Sequence, residues 1–128
     1  MTQIVMEGSC LCGNIRFSVT GKPLNPHTCS CKMCQRHSGA PTLSWVEYSK
    51  KNVKWIGKGG APTTFRSSKF SSRAFCHICG SSLGAIDDKP TVALLTGVFD
   101  AKHQNKLRPT KHSFVDLRPD WWSVAIND

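Results

Sequence analysis

Short runs of apolar and polar residues recur along the chain, some alternating with period two and some rich in β-branched residues. They fall at residues 14–20 (NIRFSVT), 42–48 (TLSWVEY), 53–56 (VKWI), 63–66 (TTFR), 72–76 (SRAFC), 82–86 (SLGAI), 91–96 (TVALLT) and 111–115 (KHSFV). Clusters of Gly, Pro, Ser and Asn separate them: NP at 25–26, GKGG at 57–60 and DDKP at 87–90. This rhythm predicts a mainly β fold. The best helix signal covers Lys32 to Ser38, ending at Gly39 with Pro41 two residues beyond. Residues 99–107 (FDAKHQNKL) could add a turn before Pro109. No repeat, low-complexity tract or linker divides the chain, so residues 1–128 read as one domain.

With 128 residues, 39% of them apolar, the chain can build one modest core. The start, MTQIVMEGSC, lacks the basic segment and long apolar run of a signal peptide, and no stretch reaches the ~18 apolar residues of a membrane helix. The expectation is a soluble, cytoplasmic protein with no membrane contact, whose thiols stay reduced. The net charge is +9, and between Tyr48 and Ile86 there are seven basic residues and no acidic one. Such a field attracts anionic small molecules, nucleic acid or acidic proteins without choosing among them.

The seven cysteines change the picture most. An odd number closes no disulfide framework, and they cluster at metal-site spacings: Cys10 and Cys12 as CxC, Cys29, Cys31 and Cys34 as CxCxxC, and Cys76 and Cys79 as CxxC. Cys12 and Cys79 are each followed by glycine and then a β-like run, as in zinc knuckles. Together Cys10, Cys12, Cys76 and Cys79 supply the four sulfurs of a structural zinc. Cys29, Cys31 and Cys34 remain, without a fourth cysteine. Three ligands with an open position characterise catalytic zinc. Alternatively, His27 or His37 closes the site; His77 is a poorer choice.

Four segments carry a family resemblance: GSCLCGNIRF (8–17), CSCKMCQRHSGAP (29–41), FCHICGSSLG (75–84), and FDAKHQNKLRPTKHSFV with the later DWW (99–122). In this order they resemble the glutathione-dependent formaldehyde-activating enzyme family, related to centromere protein V. The resemblance implies a β-tent fold of two antiparallel sheets and two zinc ions per chain. Cys10, Cys12, Cys76 and Cys79 would bind the structural ion, and Cys29, Cys31 and Cys34 the catalytic one. It also implies carbon–sulfur lyase chemistry on a small thiol adduct, such as S-hydroxymethylglutathione formed from glutathione and formaldehyde.

Proton transfer in that chemistry needs an acid or base, with His112 the first choice and His37 the second. Lys32 and Arg36, on the expected helix beside the cysteines, could hold a substrate carboxylate. Of Trp121 and Trp122, one should pack in the core and the other line a cleft. The competing expectation is a non-enzymatic zinc-stabilised module. In that reading the stretch from Lys50 to Arg73, where basic and aromatic residues mix (KWIGK, FRSSKF), meets nucleic acid or an acidic protein. Nucleic acid is the less favoured partner.

Overall fold

Alternation along the strands sorts the side chains of this protein between a core and an open sheet face, and the open face carries the chemistry. The computed structural model describes residues 3–123. The strands β1 (Val5–Ser9), β2 (Arg16–Thr20) and β5 (Val53–Trp55) form a three-stranded antiparallel sheet in that order. A seven-stranded sheet contains β3 (Leu24–Cys29), β4 (Leu43–Ser49), β6 (Thr63–Arg66), β7 (Ser71–Phe75), β8 (Ser82–Asp87), β9 (Thr91–Leu95) and β10 (His112–Ser113). Its order is β10-β3-β4-β9-β8-β7-β6. The mainly β, two-sheet fold is as expected. Among the described pairs one departs from antiparallel: the two-residue β10 lies parallel to β3.

The core lies between the sheets. Val46 and Tyr48 of β4, and Val92 and Leu94 of β9, pack against Met6, Phe17 and Val19 of the small sheet, with Phe99 set edge-on to Phe17 at 5.0 Å. Because β side chains alternate, the residues in between point the other way. Cross-strand register aligns Glu47, Ala93, Ala85, Arg73 and Phe65 in one row over five strands on that opposite face.

The single α-helix among the described residues, α1 (Lys32–Ser38), has the expected bounds and runs beside this outer face. Cys31 caps its start, its sulfur accepting the Cys34 N–H at 3.4 Å. Gly39, at φ +78°, ends it with an N–H bond to the Gln35 carbonyl at 2.7 Å. Residues 101–107 form a 3₁₀ segment, where a turn was expected.

Two strands escaped the sequence reading. In β3 the Asn-Pro pair reads as a break, yet Asn25 adopts a left-handed φ of +49° at a register shift, and the strand continues through Pro26. In β1, Gly8 dilutes the apolar pattern; a Cβ there would collide with the ring of Phe17 and the carbonyl of Val98. Trp121 is exposed and Trp122 half-buried, so neither packs in the core.

Tyr48 is 2% exposed, and its hydroxyl has no hydrogen-bond partner among the described residues. Burial pushes its pKa up from 10.0 to about 12. A raised acid pKa means that the folded state keeps a proton the unfolded state loses. This contribution is intact below pH 10 and disappears as pH climbs through 12. Tyr48→Phe should leave stability at pH 7 within about 1 kcal/mol of the parent, or raise it. It should also flatten the fall between pH 10 and 12, as read by urea denaturation across that range.

Candidate metal centres

The first cysteine group forms where two hairpins meet. Cys10 and Cys12 follow β1 and Cys76 and Cys79 follow β7, so the group joins the small sheet to the large one. Both turns are knuckles. The Gly13 N–H bonds the Cys10 carbonyl at 3.3 Å and the Gly80 N–H bonds the Cys76 carbonyl at 2.8 Å. Gly13 and Gly80 adopt φ of +84° and +78°, which L side chains resist.

All four sulfurs lie within 4.8 Å of one another. Sulfurs around a tetrahedral zinc at ~2.3 Å stand about 3.8 Å apart. The Cys10–Cys12 and Cys12–Cys76 separations, 3.7 and 3.8 Å, match that edge and far exceed a disulfide. Backbone N–H groups already face the cluster, with Ile15 N–H on the Cys10 sulfur at 3.3 Å. The Ser81 hydroxyl lies 3.2 Å from the Cys79 sulfur, and its hydrogen bond is the main cause holding that thiol down to about 5. The residues fit a four-sulfur metal site.

The second group lies on the outer face of the large sheet. Cys29 ends β3, and Cys31 and Cys34 belong to the cap and first turn of α1. Their three sulfurs are within 4.8 Å of one another, and no histidine nitrogen or fourth sulfur joins that group among the described residues. They line an open pocket of about 220 Å³ with His27, Trp45, Glu47, Asp87 and Arg73. Ala85 and Ala93 form its floor; their small side chains leave the hollow in which the sulfurs sit.

Arg73, like Glu47 and Asp87, is a residue of this pocket that sequence reasoning missed. Its two terminal nitrogens donate to the Cys34 sulfur at 3.8 and 3.7 Å, and its guanidinium stacks 5.1 Å from the Trp45 ring. One of the same nitrogens also donates to His37 Nδ1 at 3.4 Å. Cys34 is pulled down to about 5, first by hydrogen bonding from Cys29 and then by Cys31 and Arg73 against burial. Cys29 is pushed up, chiefly by its bond to Cys34. Burial, then Arg73, lowers the His37 pKa. A signal did exist: Arg73 shares one face of β7 with Ser71 and Phe75, but pairing across to β8 is needed to aim it at Cys34.

The expected histidines divide. His27 lines the cysteine pocket, yet its Nδ1 is 2.7 Å from the Asn25 carbonyl and it is not within the sulfur group. His77 is exposed, 3.4 Å from the Thr63 hydroxyl. His112 pairs with Thr28, which alternates with Cys29 along β3, so its side chain lies across the sheet from the cysteines. Its Nδ1 meets the Thr28 hydroxyl at 3.0 Å. Lys32 is exposed and lines neither cysteine pocket nor its neighbour, whereas Arg36 lines that neighbour, a larger pocket beyond Arg73.

A third group, Glu7, Asp100 and His103, is also compact. There, however, His103 Nε2 accepts the Glu7 N–H at 3.2 Å, which spends its lone pair on docking the 3₁₀ segment to β1.

The basic stretch from Lys50 to Arg73 is split between the two sheets. Arg66 pairs with Asp88 at 2.6 Å and Arg73 turns to Cys34, so the stretch presents no uninterrupted cationic face. Among the described residues no helix is long and apolar enough to cross a membrane.

Comparison with known proteins agrees with this architecture. A family model described as glutathione-dependent formaldehyde-activating enzyme matches residues 5–117. A Halomonas elongata protein provisionally named a glutathione-dependent formaldehyde-activating enzyme is 25% identical over 135 residues, covering 98% of this chain and 84% of that protein. A crystal structure of a Rhodobacter sphaeroides protein superposes with a TM-score of 0.63 at 17% identity, covering 84% of this chain and all of that one. That likeness is one of fold.

Proposed function

Given that this chain belongs to the glutathione-dependent formaldehyde-activating enzyme family, we propose that it is a zinc-dependent carbon–sulfur lyase of the cytoplasm. It would form or cleave the adduct of formaldehyde with a small thiol such as glutathione, using residues 1–128 as one domain. The observation that carries this reading is the contrast between the two cysteine groups: four sulfurs gathered in a seam between the sheets, and three sulfurs lining an open pocket. In this reading Cys10, Cys12, Cys76 and Cys79 hold a structural zinc, and Cys29, Cys31 and Cys34 hold a second. When bound at the trio, zinc supplies a soft Lewis acid that favours the nucleophilic thiolate form of a substrate thiol.

The remaining work falls to the chain. In the forward direction the substrate sulfur adds to the carbonyl carbon of formaldehyde, one C–S bond forms, the C=O π bond opens, and the thiol proton ends on the new hydroxyl oxygen. Glu47 and Asp87 are the carboxylates lining the cysteine pocket and can carry that proton. This role replaces the one expected of His112, which faces away. Arg73 fixes the Cys34 sulfur with two N–H donors, and its bond to His37 Nδ1 holds the guanidinium in that orientation.

Thiols and formaldehyde also combine unaided, so the test is a rate. NMR exchange between formaldehyde and S-hydroxymethylglutathione should be at least about tenfold faster with micromolar zinc-loaded protein than without it. Exchange at the protein-free rate would sink the lyase assignment.

A further inference from the structure

Beyond Arg73 lies a pocket of about 530 Å³, and one-carbon chemistry gives it no occupant. Its construction is regular. Met33, Arg36 and His37 sit at i, i+3 and i+4 of α1, so they share one face of the helix. Arg73 and Phe75 share one face of β7, and Phe65 stands directly opposite Arg73 on β6. Ser67, Gly80 and Ser82 complete the lining. Arg73 lines this pocket and the cysteine pocket alike, so the two are neighbours across one side chain.

The chemistry of the walls is selective. Met33, Phe65 and Phe75 offer an apolar surface, with Phe65 66% exposed. Arg36 and Arg73 supply two cations, and the lining contains no acidic side chain. Glutathione carries an ammonium, two carboxylates and two amides; its ammonium would find no counter-charge there and its amides few partners. Formaldehyde needs a small fraction of the volume. An apolar body bearing one carboxylate satisfies both features, since the body covers the aromatic and thioether walls while the carboxylate meets a guanidinium.

We propose that this pocket binds the apolar, carboxylate-bearing portion of the substrate, so that the preferred thiol is an aryl or alkyl carboxylate with its sulfur directed past Arg73 to Cys29, Cys31 and Cys34. The assignment of the reacting sulfur rests on the lyase reading; the pocket itself is testable without sulfur. Titration calorimetry of the zinc-loaded full chain with 3-phenylpropionate should give a Kd at least tenfold below that for acetate or 3-phenylpropionamide. Arg36→Gln and Phe65→Ser, both at exposed positions, should each weaken 3-phenylpropionate at least fivefold. Equal affinity for the three probes, or unchanged affinity in both variants, overturns the pocket assignment. In the exchange assay, 2-mercapto-3-phenylpropionate should exceed glutathione at least tenfold in kcat/KM; a preference for glutathione overturns the substrate class. Tight phenylpropionate binding with no rate for either thiol supports the pocket and counts against the lyase reading, which separates the two failures.

Discussion

Cys76→Ser should abolish the fold. Cys76 is fully buried, and its sulfur stands 3.8 Å from that of Cys12, which is 64 positions away in sequence. The four-sulfur group ties the β1–β2 hairpin to the β7–β8 hairpin, and among the described residues the small hydrophobic cluster around it contains only Ile15, Ala74 and Leu83 besides Cys10 and Cys76 as buried members. So small a cluster cannot replace a structural zinc, whose apparent contribution in zinc-finger peptides is about 10–16 kcal/mol at neutral pH. A serine oxygen is a harder, less acidic donor and leaves a polar atom in an apolar seam. The expected result is loss of the near-ultraviolet circular dichroism signal and of any cooperative thermal transition. A variant melting within about 5 °C of the parent would contradict the structural role.

Cys31→Ser should do the reverse, with function lost and the fold retained. Cys31 is half-buried and caps α1, accepting the Cys34 N–H at 3.4 Å. Serine is among the best N-cap residues, so the substitution keeps the cap while removing a thiolate. The outer sheet face holds no part of the core between the sheets, so loss of a metal held there would leave Met6, Phe17, Val46 and Leu94 packed. Zinc analysis should find one ion per chain in place of two, the melting temperature should fall by a few degrees, and formaldehyde–thiol exchange should return to the uncatalysed rate. Loss of structure equal to that of Cys76→Ser would refute the division of the cysteines into two roles. Undiminished exchange would refute the assignment of the trio.

Arg73 shows where sequence reasoning stops. In the linear chain it is one of seven basic residues between Tyr48 and Ile86, and reads as part of a cationic surface. Only the β7–β8–β9–β4 register carries it across the sheet to Cys34. His112 is the converse case. The sequence makes it the first choice of acid or base, and its strand does pair with β3, but one residue of register sends the side chain to the opposite face. Ala85 and Ala93 look unremarkable in sequence, yet their size makes the hollow above which the three sulfurs meet.

The sequence alone determined what local covalent spacing controls. Cysteines two or three residues apart can turn their sulfurs to one point, a glycine after a knuckle permits a positive φ, and alternation marks strands whose side faces are fixed by the pleat. The α-helix over Lys32 to Ser38 follows from the same local rules, its end set by Gly39. The tertiary structure decided everything that depends on residues far apart meeting in one register. It set which hairpins the four-sulfur seam joins, which charged groups surround the trio, and that a second, apolar pocket opens beside it. Strand pairing is long-range and a shift of one residue reverses every side chain, so no local signal carries that information.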